Sequence, residues 1–272
     1  MEINIKLGNG QILRGIIKSP GDNVRAVMIL VHGLGDHIKR YSHWIEKFSA
    51  KGIGFLGVDL PGHGRSDGKR GNIKNYSVTN EMLDIMITEY KKTFPGIPVF
   101  LYGHSLGGGI VLEYILRNSP EITGAIVTSR WLRLSREPDR TRVLLARGIK
   151  SFLPSLVQPS GLIANHISHD KAVVDDYNSD PLVHNKISVS LFYSAVSAAG
   201  YSLNNAKDLK VPILLIHGSD DLITSPEGSR EFASKTKMAE FKLWDGGYHE
   251  LHNEPFKDEV FSYIVNWIEK QI

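Results

Sequence analysis

The pentapeptide Gly103-His104-Ser105-Leu106-Gly107 sits between two runs of different character. Before it, Ile97-Pro98-Val99-Phe100-Leu101-Tyr102 is a short apolar run that predicts a buried strand. After it, the segment from Gly108 to Leu116 predicts a helix. A serine between two glycines at a strand-to-helix turn lies on a backbone too tight for side chains two residues to either side. The turn holds the hydroxyl outward over the positive end of the helix dipole, where negative charge developing in acyl transfer is stabilised. Ser105 is therefore the candidate nucleophile. A glycine-rich turn with an incidental serine is the competing reading, and the flanking strand and helix weigh against it.

Apolar runs and helix-like segments alternate on both sides of this turn. Residues 3–7 and 12–18, joined through Gly8-Asn9-Gly10, predict an opening hairpin. Residues 26–31 and 53–60 read as strands, with a helix over 40–50 between them and another over 76–94. Residues 124–128, 211–217 and 240–244 read as later strands, with helices starting at Pro226 and Pro255. Such alternation predicts a mostly parallel sheet covered on both faces. Between about Arg130 and Asn205 the rhythm breaks into helical pieces and turns. That segment is expected to be an insertion over the carboxyl edge of the sheet.

The chain has 272 residues, 42% of them hydrophobic and 22% charged, which suits one large domain carrying an insertion. It has no cysteine, which excludes disulfides and thiolate chemistry. A net charge of +3 is too small to argue for nucleic acid. Gly62-His63-Gly64-Arg65-Ser66 lacks a nucleotide-binding lysine, and the histidines fall on separate loops without metal-ligand spacing. Neither a metal nor another cofactor is expected. The start of the chain has no apolar core of signal-peptide length, and no run reaches the roughly 20 residues of a membrane span. A cytoplasmic location is the default expectation.

A serine hydroxyl is a weak nucleophile and needs a base, and the base needs an orienting carboxylate. Two later strands end at suitable residues. One runs into His217-Gly218-Ser219-Asp220-Asp221, the other into Asp245-Gly246-Gly247-Tyr248-His249. Sites of open α/β sheets gather at strand carboxyl ends. His249 is the candidate base, with His252 as its competitor. The spacing leaves Asp220 and Asp221 both open as the orienting acid. Two backbone amides must hold the oxyanion. One is Leu106, directly after the nucleophile, and the other is assigned to Leu34 in the loop His32-Gly33-Leu34-Gly35-Asp36-His37.

With these residues in view, the chain resembles the monoacylglycerol lipases and lysophospholipases of the α/β-hydrolase superfamily over nearly its full length. The resemblance rests on residues 32–37, on Asp59 through Gly68, on residues 103–108, on Tyr177-Asn178-Ser179-Asp180-Pro181-Leu182, on Gly218-Ser219-Asp220-Asp221 and on Tyr248-His249. It implies an eight-stranded, mostly parallel sheet with a helical cap inserted after the sixth strand, over about 130–205. It also implies Asp221 as the acid, His249 as the base, and the Leu34 and Leu106 amides as oxyanion donors. The implied activity is hydrolysis of a single-chain lipid ester, monoacylglycerol first. Lysophospholipase and short-chain carboxylesterase are the nearest alternatives, and an inactive lipid-binding protein is the alternative of another class.

One segment departs from the pattern. Relatives commonly carry Ser-Pro where this chain has Ser129-Arg130, and residues 130–150 hold seven basic against two acidic residues, a net of +5. Trp131, Leu132, Leu134, Leu144, Leu145, Phe152 and Leu153 are expected to line an acyl channel. A cap with basic and apolar faces can also rest transiently on an anionic membrane surface.

Overall fold

The sheet is built from strands whose side chains alternate between two cores. In β3 (Ala26–Val31) every residue is buried. Val27, Ile29 and Val31 pack into one core with Met82, Leu83, Ile110 and Leu191. Ala26, Met28 and Leu30 pack into the other with Trp44, Phe48, Phe261 and Trp267. A strand buried on both faces reads as a continuous apolar run, which is why β3 was legible as sequence.

β1 (Glu2–Lys6) and β2 (Ile12–Lys18) form the expected antiparallel hairpin. β4 (Ile53–Val58), β5 (Val99–His104) and β6 (Gly124–Thr128) follow. β7 (Val157–Pro159) and β8 (Lys186–Ser188) make a separate small antiparallel pair. β9 (Ile213–Gly218) and β10 (Ala239–Trp244) complete the main sheet. Its eight strands run in the order β1-β2-β4-β3-β5-β6-β9-β10. β4, β3, β5, β6, β9 and β10 are parallel neighbours, and β2 is antiparallel to both strands beside it. The eight-stranded, mostly parallel sheet flanked by helices agrees with expectation.

α1 (Ser42–Ala50) and α8 (Lys257–Glu269) cover one face, and α2 (Tyr76–Thr93) and α3 (Leu106–Asn118) cover the other with α7 (Pro226–Ser234). The segment between β6 and β9 holds α4 (Arg140–Phe152), α5 (Lys171–Ser179), α6 (Val189–Asn204) and the β7–β8 pair. This computed structural model describes residues 1–136 and 140–272, and within 140–150 the side chains of residues 141, 144 and 147–149. Several bounds differ from the sequence reading: β4 ends at Val58 rather than 60, β9 runs over Ile213–Gly218 rather than 211–217, and α8 begins at Lys257 rather than Pro255. Residues 38–41 form a 3-10 turn, so α1 begins at Ser42. The cap contains two strands of three residues each, too short for a periodicity to register.

Candidate active site

Ser105 follows β5 at φ 52° and ψ −115°, a backbone conformation unusual for a residue with a side chain. The neighbouring glycines explain how the turn closes. A Cβ on Gly107 would lie 2.1 Å from the Val31 carbonyl oxygen, and one on Gly103 would lie 2.7 Å from that of Gly107. Ser105 stands at the N-cap of α3, yet its hydroxyl makes no capping hydrogen bond. The hydroxyl is thus not committed to the helix, and the first amide of α3, that of Leu106, lies beside it. Ser105 is only 8% exposed.

Asp221 follows β9 and His249 follows β10. Their side chains meet, with His249 Nδ1 2.7 Å from Asp221 Oδ2. The adjacent aspartates separate by what their carboxylates accept. Asp221 takes the amides of Ile223 and Thr224 at 2.8 and 2.9 Å, which turns its side chain inward. Asp220 accepts from the Ser219 hydroxyl at an exposed position. Burial alone would raise the Asp221 carboxyl, but the His249 charge and hydrogen bonds from His217 and His249 outweigh it and hold it well below the usual carboxylate range. His252 packs instead in a ring cluster, 4.7 Å from Tyr41 and 4.8 Å from His104, and burial pushes it far below the ordinary histidine value.

The loop after β3 is held from behind by His32. Its Nδ1 lies 2.9 Å from the Gly33 carbonyl and its Nε2 accepts the Leu60 amide at 2.8 Å. Those partners require the neutral tautomer with the proton on Nδ1. Burial depresses its basicity in the same direction. Further along, Asp36 accepts from the His37 amide, Arg40 and the Tyr41 hydroxyl. Arg40 also grips Glu250 through two hydrogen bonds of 2.9 and 2.7 Å. One guanidinium therefore ties the loop of Leu34 to the residue after His249. Sequence reading missed Arg40 and Glu250, which lie far apart along the chain.

Gly33, Leu34, Asp36, His104, Ser105, Leu162, Ile167, Tyr177, His249 and Glu250 line one cleft. Its free volume is about 10 Å³, room for about one water molecule. Leu162, Ile167 and Tyr177 come from the segment between β6 and β9 and wall the cleft. They share a small apolar cluster with Val174 and Ile223. Among the described residues no group of three or more His, Cys, Asp or Glu side chains is arranged to hold a metal.

Of the seven residues expected to line an acyl channel, the six with described side chains are not among those lining this cleft. Leu132 is buried in the core beneath the cap, with Trp131 packed against it and 6.0 Å from Phe192. Leu134 forms a bridge to Thr224. Leu144, Phe152 and Leu153 are exposed by 65%, 86% and 59%. The side chain of Leu145 lies outside the described residues. The nearer apolar wall comes from Leu162 and Ile167, loop residues without a helical period to reveal them.

The basic run also divides. Arg130, expected on the cap surface, is 0% exposed and sits 5.9 Å from the Phe232 ring. Its three guanidinium nitrogens have no hydrogen-bond partner among the described residues. Burial pushes the group down to about 9. Arg133 pairs with Glu231 at 2.6 Å, and Arg136 and Arg147 are exposed. The side chains of Arg140, Arg142 and Lys150 lie outside the described residues. Among the described residues no helix is long and apolar enough to cross a membrane.

The family described as serine aminopeptidase, S33, matches residues 22–256. A monoacylglycerol lipase of Mycolicibacterium smegmatis is 30% identical over 92% of this chain and 90% of its own. Phospholipase YtpA of Bacillus subtilis is 30% identical over 89% of this chain and 94% of its own. An abhydrolase domain-containing protein of Dictyostelium discoideum is 34% identical over 91% of this chain, which spans 26% of that longer protein. The crystal structure of Paleococcus ferrophilus monoacylglycerol lipase matches with a TM-score of 0.88 at 33% identity, covering 96% of this chain and 99% of the other. The chain belongs to the S33 family of α/β-hydrolase-fold serine hydrolases and is an ester hydrolase of its monoacylglycerol lipase-like group.

Proposed function

We propose that the chain hydrolyses single-chain lipid esters, monoacylglycerol first, through an acyl-enzyme on Ser105 with His249 as base and Asp221 as acid. The observation that carries this reading is the shared cleft. Ser105 and His249 line it together, and His249 is held to Asp221 at 2.7 Å. With Nδ1–H donated to Asp221, Nε2 of His249 is left as the proton acceptor. Ser105 Oγ attacks the ester carbonyl and its proton passes to His249. The amides of Leu34 and Leu106 hold the oxyanion; losing one such donor typically costs about 2.7–4 kcal/mol of transition-state stabilisation. His249 then protonates the leaving alcohol, and water repeats the sequence to release the fatty acid.

The chemistry of the cleft supports a monoacyl lipid. Leu162 and Ile167 offer an apolar wall, while Asp36, Tyr177 and Glu250 offer polar groups to an alcohol head. A relative named monoacylglycerol lipase points the same way. The chain acts in this reading as one hydrolase domain with a cap of about residues 130–205, which meets a membrane surface only transiently. A second reading, action on lysophospholipids, is favoured by the relative named phospholipase and by the exposed Arg136 and Arg147. A panel of esters spanning acyl length and head group separates the two. Glycerol esters turning over fastest support the first reading, phosphorylated head groups the second, and acetate or butyrate esters alone would overturn both.

The residue roles are tested separately. Ser105→Ala and His249→Ala are each expected to fold and lose nearly all turnover, since the two act as one unit. Asp221→Asn should lower kcat by about 10⁴-fold through the wrong histidine tautomer. Asp220→Asn and His252→Ala should be far milder on activity. A reversed ranking within either pair overturns that assignment.

A further inference from the structure

His217 is the penultimate residue of β9, four residues before Asp221, and the proposed mechanism does not use it. Its ring is fully buried. Nε2 lies 3.1 Å from Asp221 Oδ2 and 3.2 Å from the Thr224 carbonyl oxygen, and Nδ1 lies 2.9 Å from the Ser229 hydroxyl. The Thr224 hydroxyl, 3.1 Å from Nε2, has its own acceptors in the Ser129 carbonyl and Asp221, and a carboxylate and a carbonyl accept, so Nε2 carries a proton. In the Nε2–H tautomer, Nδ1 accepts the Ser229 hydroxyl. Ser229 in α7 therefore selects the tautomer that points a donor at Asp221.

Asp221 divides one carboxylate oxygen among several donors. Oδ2 meets His249 Nδ1 at 2.7 Å, the Thr224 hydroxyl at 2.9 Å and His217 at 3.1 Å. Oδ1 accepts two amides. A carboxylate offers about four acceptor sites. The Thr224 hydroxyl has another acceptor in the Ser129 carbonyl, 3.0 Å away. His217 competes for the same oxygen that orients His249.

We infer that His217 is a positioning residue for Asp221 that shares its carboxylate with His249 and so moderates the basicity of the histidine base. This rests on the assignment of Ser105, His249 and Asp221 made above. A hydrogen bond into Oδ2 spreads the negative charge that stabilises the His249 imidazolium. Removing it returns that charge to His249 and favours the protonated ring. The other titratable groups around the pair are His104, whose ring is 4.9 Å from His249, and Glu250, paired with Arg40; the variants below leave them in place.

The test is the pH dependence of kcat/KM on a small soluble ester. His217→Leu should move the acid limb up by on the order of one pH unit. His217→Gln, which keeps a donor near Asp221, should retain the wild-type limb. Ser229→Ala, which frees the tautomer without opening a hole beside Asp221, should move the limb the same way by less. If His217→Leu does not fold, as thermal unfolding will report, Ser229→Ala and the low-field proton resonance of His249 Nδ1–H carry the test. That resonance should move further downfield in Ser229→Ala. Coincident profiles in wild type, His217→Leu and Ser229→Ala would overturn the inference, as would equal shifts in the Leu and Gln variants. Turnover surviving in Ser105→Ala or His249→Ala would instead overturn the underlying assignment.

Discussion

The carbonyl of Ile167, in the cap, accepts a hydrogen bond at 2.7 Å from the amide of Glu250, the residue after His249. Ser168 and His169 extend this lacing. The Ser168 hydroxyl donates to the Asn253 carbonyl at 3.0 Å, and the His169 amide to the buried Glu254 carboxylate at 3.3 Å. On the opposite flank the His184 amide donates to Gly35 at 3.0 Å and that of Ser188 to Gly71 at 2.8 Å. The rear of the cap, residues 164–188, is thereby joined to both loops that frame the cleft. Its front carries exposed Leu144, Phe152, Leu153 and Ile163.

Hydrogen exchange should divide the cap along this line. The amides of His184, Ser188 and Glu250 should exchange at least about tenfold more slowly than the described amides of residues 144–156, a difference of about 1.4 kcal/mol in local opening. Equal protection across the cap would show that it moves as one piece.

Arg130 should be a liability to stability. Its guanidinium is buried without a hydrogen-bond partner among the described residues, and replacing buried charged groups by apolar residues leaves proteins up to about 1–4 kcal/mol more stable. Arg130→Met is therefore expected to raise Tm, at about 2–4 °C per kcal/mol for a chain of this size. A lower Tm in calorimetry would mean that the guanidinium stabilises its surroundings.

Burial holds His104 down to about 3 and His184 to about 4, and pushes His63 and His252 well below the ordinary value. The unfolded chain then binds more protons, so stability is fully present above about pH 6.5 and is lost as pH falls towards 4 and 3. Between about 6.5 and 4.5 the histidines act largely ahead of the carboxylates. Each contributes a slope of up to about 1.4 kcal/mol per pH unit. Denaturant midpoints should fall across that window, and less steeply in His184→Gln. A flat profile, or one unchanged by His184→Gln, contradicts the assignment.

The cap front should sense lipid charge. Arg136 and Arg147 lie near exposed Leu144 and Phe152 in sequence, while Arg130 is buried and Arg133 paired. Each basic residue near an anionic surface is worth about 1 kcal/mol. Co-sedimentation with anionic vesicles should therefore exceed that with zwitterionic ones at low salt, and high salt should erase the difference. Replacing both arginines by glutamine should erase it too, with hydrolysis of a soluble ester unchanged. Indifference to lipid charge would leave these side chains as a solvated face.

Much of this arrangement was legible in the sequence, for particular reasons. β3 and β5 are continuous apolar runs, and Gly103 and Gly107 mark a turn that excludes side chains. Asp220 and Asp221 are equivalent in spacing, and they are separated by tertiary partners: Asp221 takes the amides of Ile223 and Thr224 and meets His249, while Asp220 stays exposed. Arg130 was misplaced because an arginine opening a basic run reads as solvated. Its burial depends on Phe232, about a hundred residues later in the chain. Leu162 lies in a loop and Ile167 just past a 3-10 turn, where no period identifies the inward face. His217 reads as an ordinary strand end, because a histidine's partners are set by tertiary packing.

The 10 Å³ cleft has a kinetic meaning. An ester reaching Ser105 must displace Leu162, Ile167 or Tyr177, so productive encounter belongs to the fraction of molecules in which these walls have moved aside. Apparent affinity is the intrinsic affinity scaled by that fraction; a closed form favoured by about a hundred to one weakens it by about a hundredfold. KM is then a property of the cap as much as of the cleft. Substitutions that never touch the ester will alter it.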